Sequence, residues 1–173
     1  KIWDVESLST QGGSLRIYGC HSYDSRQISA SVQEVLAEEQ SNGLKQLSTY
    51  LGFQERVDRV KTRLLLYLTE QKRAGKMVVA YGAAAKGNTL LNYAGITPDL
   101  ISFVCDAAPS KQGKYMPGSH IPIFPPSMLY EQKPDIILIL PWNLAEEVTS
   151  QNAYVREWGG EFVTAIPQIR IIN

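Results

Sequence analysis

The stretch MVVAYGAAAKGNTLLN, residues 77–92, decides the fold of this chain. Residues 77–80 are all apolar, and so short and unbroken an apolar run predicts a buried parallel strand that ends by Gly82. The residues that follow are small apart from one lysine, and they predict a loop. From about residue 88 the spacing of the apolar side chains predicts a helix, which Gly95 ends.

A strand, a loop of small residues and a helix N-terminus, in this order, predict an anion-binding site. The first backbone N–H groups of a helix have no partner within the helix, and they lie at its positive end. Such a position suits a phosphate, and Lys86 would add a full positive charge. The predicted phosphate-binding residues are Gly82, Ala83, Ala84, Lys86, Gly87, Asn88 and Thr89.

The stretch lacks two well-known phosphate-binding motifs. It contains neither the dinucleotide fingerprint G-x-G-x-x-G nor the P-loop G-x-x-x-x-G-K-[ST]. An alternative interpretation is that Gly82 and Gly87 only shape a tight strand-to-helix turn and that Lys86 is solvated.

The composition is that of an ordinary globular protein. The chain has 173 residues, of which 44% are hydrophobic and 20% are charged. Its 17 basic and 17 acidic residues cancel, so no nucleic-acid or membrane partner is predicted. No apolar run approaches the roughly 18 residues of a membrane span.

Cysteine and histidine are scarce. Cys20, Cys105, His21 and His120 are the only residues of these two types, and their spacing does not fit a structural zinc site, so no metal site is predicted. Few cysteines and no signal-like opening fit a reducing cytosol, which predicts a cytoplasmic protein. Because the chain opens at Lys1 directly into structured-looking sequence, we expect it to be cut from a longer protein.

The sequence predicts three segments. Residues 1–20 hold two apolar runs around a Gly-Gly turn signal and predict a β-hairpin, which we expect at the edge of a larger sheet because two strands alone are marginally stable. A polar linker separates the hairpin from residues 31–74, whose helical apolar spacing predicts a segment of three helices. Residues 75–173 alternate strands and helices, which predicts a parallel sheet with right-handed crossovers. After the first strand, the strands of this sheet are predicted at residues 100–105, 121–124, 135–140 and 162–166.

The predicted fold class is therefore α/β: a Rossmann-like parallel sheet with flanking helices, preceded by the β-hairpin and the helical segment. Ligands of such sheets bind beyond the carboxyl ends of the strands. Besides the loop at 82–89, this rule selects Asp106 to Lys111, Ile123 to Pro125, Trp142 and Asn143 as site residues. Asn143 is also predicted to cap the helix that follows it.

Asp106 has two interpretations at this stage. It lies 24 positions after Gly82, close to the roughly 20 expected for an acid that binds a ribose hydroxyl in this fold. It equally suits the cap of the turn that follows it. The sequence does not decide between the two roles.

Four segments carry a resemblance to a known family: QGGSLRIY (11–18), YGAAAKGNTLLN (81–92), FVCDAAPSKQGKYMPGSHIPI (103–123) and DIILILPWN (135–143). With them the chain resembles, over nearly its whole length, the C-terminal domain of the SAM-dependent sugar C-methyltransferases, which act on nucleotide-linked deoxysugars. The most specific signal is YGAAAKGNTLLN together with KQGKYMPG.

The resemblance implies a protein of three parts: a small cysteine-ligated zinc domain, a domain that binds S-adenosylmethionine (SAM), and this Rossmann-like domain closing over a nucleotide sugar. Residues 1–20 would be the last hairpin of the methyltransferase sheet. The zinc and SAM sites would lie upstream, so this fragment would bind neither and would not methylate by itself. Its partners would be the nucleotide sugar and its own upstream methyltransferase domain.

The resemblance also assigns roles within the predicted site. The loop at 82–89 would hold the diphosphate, Asp106 and residues 111–115 would cover the nucleoside or the sugar, and Tyr115 would stack on a ring. Trp142 or Asn143 would line the rim.

Gln11 departs from the family pattern. Relatives usually carry a histidine at the position before the Gly-Gly pair, proposed as the base that removes a proton next to the ketone. A glutamine has no useful proton affinity near neutral pH, so Gln11 can hydrogen-bond a sugar oxygen or an enolate but cannot be the base. It remains a candidate catalytic residue in that limited sense, and plain turn chemistry is the alternative.

Two other functions remain open. The first is a regulatory Rossmann module that binds NAD or coenzyme A without chemistry, because similar loops occur in such domains. The second is a purely structural domain that binds nothing. The convergence of Lys86, Asp106, Lys111 and Asn143 on one rim makes this second function the least favoured.

Overall fold

The computed structural model describes residues 1–10 and 13–172. They form two compact units, one that ends at Arg56 and one that begins at Val57. Among the described residues, no helix is long and apolar enough to cross a membrane. The division at 1–20, 31–74 and 75–173 stays a prediction.

The first unit holds the predicted hairpin and two helices. The two strands pair antiparallel with a register that runs from Ile2 opposite Gly19 to Leu8 opposite Ser14. Among the described residues this sheet has two strands only, and the predicted Gly-Gly turn lies mostly outside them. The elements are β1 (Ile2–Leu8), β2 (Ser14–Gly19), α1 (Ala30–Ser41), α2 (Leu47–Leu51) and the first turn of α3 (Phe53–Arg73).

Asp4 attaches the start of α1 to β1. Its Oδ1 accepts hydrogen bonds from Ser29 Oγ at 2.6 Å and from Ser31 Oγ at 2.7 Å. The backbone adds a bond from Ser29 N to Trp3 O at 2.8 Å. The hydroxyl of Ser29, followed by that of Ser31, lowers the pKa of Asp4 because both bonds favour the ionised carboxylate.

Within the described residues, the second unit contains a six-stranded sheet with the order β5-β4-β3-β6-β7-β8, in which only β8 runs antiparallel to its neighbour. This confirms the predicted α/β, Rossmann-like class. The strands are β3 (Val78–Tyr81), β4 (Val104–Cys105), β5 (Ile123–Phe124), β6 (Ile136–Ile139), β7 (Glu161–Thr164) and β8 (Arg170–Ile172). The helices are the rest of α3, α4 (Ala85–Ala94), α5 (Ser127–Gln132) and α6 (Ala145–Gln151), with 3-10 turns at Trp142–Leu144 and Ala153–Trp158.

The sheet is buried on both faces, as the unbroken apolar runs predict. Successive residues of a strand point to opposite faces, so Val78 and Ala80 join one core while Val79 and Tyr81 join the other. The first core contains Leu64 and Leu68 of α3 and Leu91 of α4. The second core contains Leu129 of α5 and Val148 of α6.

Several predicted element boundaries were wrong. Helix α4 begins at Ala85 rather than near residue 88, because Ala84 already has the extended backbone of an N-cap (φ −115°, ψ 163°) and alanine and lysine are good helix formers. The predicted strand at 100–105 is reduced to Val104–Cys105, although Ser102 N and Phe103 O still bond to the backbone of β3. Strand β5 begins only at Ile123, after Pro122, which has no N–H for a ladder.

Two predictions at the end of the chain also require correction. Asn143 does not cap a helix: it lies in a 3-10 turn, α6 begins at Ala145, and Leu144 stands at the N-cap position. The predicted last strand is followed by β8, whose residue Ile172 pairs with Phe162. Gly95 does end α4, with φ +68° and its N–H bonded to Asn92 O, as predicted.

Candidate functional site

The strand order creates a crevice at the carboxyl edge of the sheet. From β3 the chain proceeds through β4 and β5 on one side, and β6 and β7 lie on the other side. The segments that leave β3 and β6 therefore diverge, and open α/β sheets bind ligands at such a switch point. The predicted loop at 82–89 follows β3, and Pro141, Trp142 and Asn143 follow β6.

Two glycines allow the loop after β3 to pack directly against the segment after β6. Gly82 has φ +94°, and a Cβ there would lie 2.5 Å from Pro141 Cδ. A Cβ on Gly87 would lie 2.6 Å from Leu140 Cβ. Gly82 shapes the turn after β3, Gly87 packs against Leu140 from the first turn of α4, and this packing brings the N-terminus of α4 to the crevice. The choice between a purely structural and a phosphate-binding role for the two glycines is not decided by this packing.

The N-terminus of α4 presents uncapped N–H groups at the crevice. Ala84, at the N-cap, offers no side-chain cap, and Asn88 N is the first amide that bonds back, to Ala84 O at 2.9 Å. The N–H groups of Ala85, Lys86 and Gly87 meet no acceptor among the described residues. Together with the positive end of the helix dipole they form a position suited to an anion.

Lys86 spans the crevice. Its Nζ lies 3.4 Å from Asn143 Oδ1 and 5.5 Å from the centre of the Trp142 ring. Within the described part of the chain it forms no ion pair with a carboxylate. The structure thus brings together three predicted site residues, one from the first turn of α4 and two from the 3-10 turn after β6, with an exposed cation among them.

Asp106 holds the loops on the β4 side of the crevice. It is buried, and its Oδ2 accepts from Ala83 N at 2.7 Å and from Lys111 Nζ at 2.9 Å. Its Oδ1 accepts from Ala108 N at 2.8 Å, which is the predicted turn cap. A carboxylate offers about four acceptor positions, so three are occupied by the protein itself. The ribose-binding role of Asp106 stays a prediction.

Two cavities flank the crevice. The first, of about 590 Å³, lies beyond β6 and β7, and we call it the polar cavity. The second, of about 460 Å³, lies beyond β3, β4 and β5, and we call it the Tyr115 cavity. The polar cavity is lined by Trp142, Asn143, Glu146, Thr164, Gln168 and Arg170, among others. The Tyr115 cavity is lined by Ala83, Ala84, Ala85, Asn88, Tyr115 and Met116, among others.

Of the residues that line the polar cavity, the sequence selected only Trp142 and Asn143, and those it missed include Thr164 and Arg170. Thr164 is buried at the end of β7, and the rule that ligands bind at the carboxyl ends of strands would have selected it. Arg170 opens β8, a strand that was not predicted. Thr89, predicted for the phosphate, instead bonds its hydroxyl to Ala85 O at 3.0 Å along the helix. Gln11, the candidate catalytic residue, lies outside the described residues.

Residues 9–167 match the family of the C-methyltransferase C-terminal domain. The chain belongs to this family. The matched range includes the segments at 81–92 and 103–123, which supply the loop after β3 and much of the lining of the Tyr115 cavity.

A relative of known function supports the assignment of the chain to this family. The C-methyltransferase NovU of Streptomyces niveus is 35% identical over all 173 residues, and the chain spans 41% of its length. Among solved structures, UDP-D-quinovosamine 4-dehydrogenase from Vibrio fischeri aligns with a TM-score of 0.44 at 17% identity, over 57% of this chain and 93% of that one.

Proposed function

We propose that this chain is the substrate-holding domain of a C-methyltransferase that acts on a nucleotide-linked sugar. The observation that carries the proposal is the contact of Lys86 with Trp142 and Asn143 at the switch point, beside the uncapped N-terminus of α4. Cation and N–H groups there suit the two phosphates of a nucleotide sugar. The family supports methyl transfer to carbon as the reaction of the whole protein.

In this proposal the domain contributes by orientation. Binding the diphosphate at one fixed point limits where the attached sugar can lie, and holding two reactants in the right geometry can lower a barrier substantially. SAM, which we propose binds outside this chain, supplies the electrophilic methyl group. The proton that leaves the acceptor carbon requires a base, and Gln11 cannot be that base. The base, the zinc site and the cytoplasmic location belong to the predicted longer protein.

Replacing Lys86 tests the diphosphate site. We expect Lys86→Ala to weaken the binding of nucleoside diphosphates about 10- to 100-fold, since a hydrogen bond to a charged group contributes about 1.5–3 kcal/mol. The unfolding temperature should change little, because Lys86 is exposed and lies outside the two cores. Titration calorimetry with UDP, dTDP and GDP measures the first effect, and thermal unfolding measures the second.

Lys76→Ala is the matched control, because Lys76 is an exposed lysine at the opposite end of β3. Its affinity for the same ligands should equal that of the wild type. A thermal-shift panel that adds NAD, coenzyme A and SAM separates the alternative function. A ligand at a hundred times its Kd stabilises by about 2.7 kcal/mol, roughly 5–10 °C for a chain of this size. Stabilisation by NAD or coenzyme A alone would contradict the proposal.

A further inference from the structure

We propose that the outer edge of β8 is an interaction surface that pairs with β8 of a second copy of this chain. The two strands would run antiparallel about a two-fold axis at Ile171, and the sheets of the two copies would join into one. This edge lies at the end of the strand order opposite to β5, and its pairing does not require the proposed function.

The first observation is that the sheet ends at β8. This strand has β7 on one side and, among the described residues, no strand on the other. The outer edge of a terminal strand presents N–H and C=O groups that can pair with a further strand. The residue at the centre of β8 is Ile171, an apolar side chain that is 47% exposed. Pairing with another strand would therefore satisfy the backbone and cover apolar surface together.

More exposed apolar surface lies beside this edge, on the face of the sheet that α3 covers. Ile171 pairs with Val163, and directly opposed residues point to the same face, which for Val163 is the core that contains α3. On that face Leu66 of α3 is 59% exposed. A groove of about 250 Å³, lined by Leu66, Tyr67 and Ile169 among others, lies next to the edge.

Charges on the other face, which α6 covers, favour an identical partner. A groove of about 810 Å³ there is lined by Glu146, Arg156 and Arg170, among others. Glu146 lies in the first turn of α6, which follows β6, at the carboxyl edge of the sheet. Arg156 lies in the 3-10 turn before β7, at the amino edge. Within the described part of the chain, Arg156 forms no ion pair with a carboxylate.

A two-fold axis at Ile171 would bring these opposite charges together. In an antiparallel pair the carboxyl edge of one copy meets the amino edge of the other, so Glu146 of each copy would face Arg156 of its partner. The same axis would place the two Ile171 side chains opposite each other. An isologous interface uses one patch in both copies and must therefore be self-complementary, which this arrangement of charges satisfies.

Sedimentation velocity of the whole chain, between about 1 and 200 μM, tests the pairing. Because β8 has three residues, we expect a weak, reversible dimer with a Kd on the order of 10 μM, as for other small interfaces. Ile171→Lys should raise this Kd at least about tenfold, since like charges directly opposite each other are destabilising. Ile17→Lys, at an exposed isoleucine of β2, is the matched control and should leave the Kd unchanged.

An exchange of charges tests the two-fold geometry. Glu146→Arg alone and Arg156→Glu alone should each raise the Kd about tenfold, because each places like charges opposite one another at both ends of the interface. The double variant restores an opposite pair and should return the Kd to within about threefold of the wild type. Lys76→Glu, the same reversal at an exposed lysine beside β3, should leave the Kd unchanged. All variants should keep the wild-type unfolding temperature, because the replaced side chains are exposed.

Three results would overturn the proposal. The first is a chain that stays monomeric at the highest concentration. The second is a dimer that Ile17→Lys dissociates and Ile171→Lys does not, since the interface would then lie on the hairpin of the first unit. The third is a double variant that dimerises no better than the two single variants, because the antiparallel two-fold arrangement would then be wrong.

Discussion

Gly87 shows how much one residue decides at the crevice. The residue is buried in the first turn of α4, and a Cβ there would lie 2.6 Å from Leu140 Cβ and 2.9 Å from its Cδ1. The neighbour is a buried core side chain at the end of β6, so it has little room to withdraw. Helix α4 can therefore approach the sheet this closely only with glycine at this position.

We predict that Gly87→Ala destabilises the fold by about 1–3 kcal/mol, the usual cost of inserting a methyl group into a packed region. The gain in helix propensity from alanine offsets about 1 kcal/mol at most. Chemical denaturation measures the change. Gly52→Ala is the control, because Gly52 has φ −77° and a Cβ there would lie 3.4 Å from Ser48 O, which is an ordinary van der Waals contact. Equal stability of the two variants would show that α4 can move away from Leu140.

At the scale of elements, Asp106 joins segments that the sheet alone does not hold. One carboxylate receives an N–H from the loop after β3, an N–H from its own turn and the ammonium of Lys111. Its backbone oxygen also accepts from Gln112 Nε2 at 2.9 Å. The shape of the Tyr115 cavity therefore depends on this residue, even though Asp106 does not line it.

We predict that Asp106→Asn lowers stability by about 1–3 kcal/mol, because an amide has a single acceptor oxygen and leaves unpaired either the N–H of Ala108 or the donors of both Ala83 and Lys111. Nucleotide affinity should fall at least tenfold, because the loop after β3 and the turn after β4 would no longer be held in their relative positions. Asp135→Asn is the control, since Asp135 Oδ2 also accepts a backbone N–H, from Met77 at 2.7 Å, but at the opposite end of the sheet. If Asp106→Asn keeps full stability and loses only affinity, Asp106 contacts the ligand directly, as the ribose interpretation has it.

The sequence predicted those elements that local patterns determine. The apolar runs at 77–80 and 136–140 can lie only between two layers of helices, so β3 and β6, predicted at 77–80 and 135–140, were found nearly at their true bounds. Strand β8 was missed because three residues carry no detectable period, and their pairing with β7 depends on a return of the chain after Pro167. The residues from 100 to 103 were assigned to a strand because an apolar run does not show where a ladder starts.

Part of the candidate site was predictable from local sequence patterns, and part required the three-dimensional structure. The loop at 82–89 and the rim residues Trp142 and Asn143 follow from the rule that ligands bind at the carboxyl ends of strands. The proximity of Lys86 to Trp142 requires the strand order, which places β6 beside β3. Asn88 Oδ1 is buried and has no hydrogen-bond partner among the described residues, and no sequence pattern indicates this because it depends on the atoms packed around it.

For the molecule as a whole, Cys105 links stability to pH. The thiol is fully buried at the end of β4, and burial raises its pKa to about 12 from an ordinary value of 9.0. Between these two pH values the unfolded chain loses the thiol proton while the folded chain keeps it. The unfolded state then binds fewer protons, so the free energy of unfolding falls as the pH rises above 9.

We predict that the wild type loses up to about 1.4 kcal/mol per pH unit from this group alone between pH 9 and 11. Cys105→Ala removes that contribution, so its stability should depend less on pH over the same interval. Cys20→Ala, at a half-buried thiol, is the control and should keep the wild-type slope. Parallel slopes for all three proteins, measured by urea unfolding, would show that the Cys105 thiol does not carry the dependence.

The contact between Lys86 and Asn143 has a consequence for the order in which the protein matures. The two residues are 57 positions apart, and they meet only when β6 has inserted beside β3. The segment between them contains strands β4 and β5. Closing this long segment costs conformational entropy before the contact can stabilise the chain. Under the proposed function, a growing chain on the ribosome would therefore gain the diphosphate site only after residue 143 has left the exit tunnel.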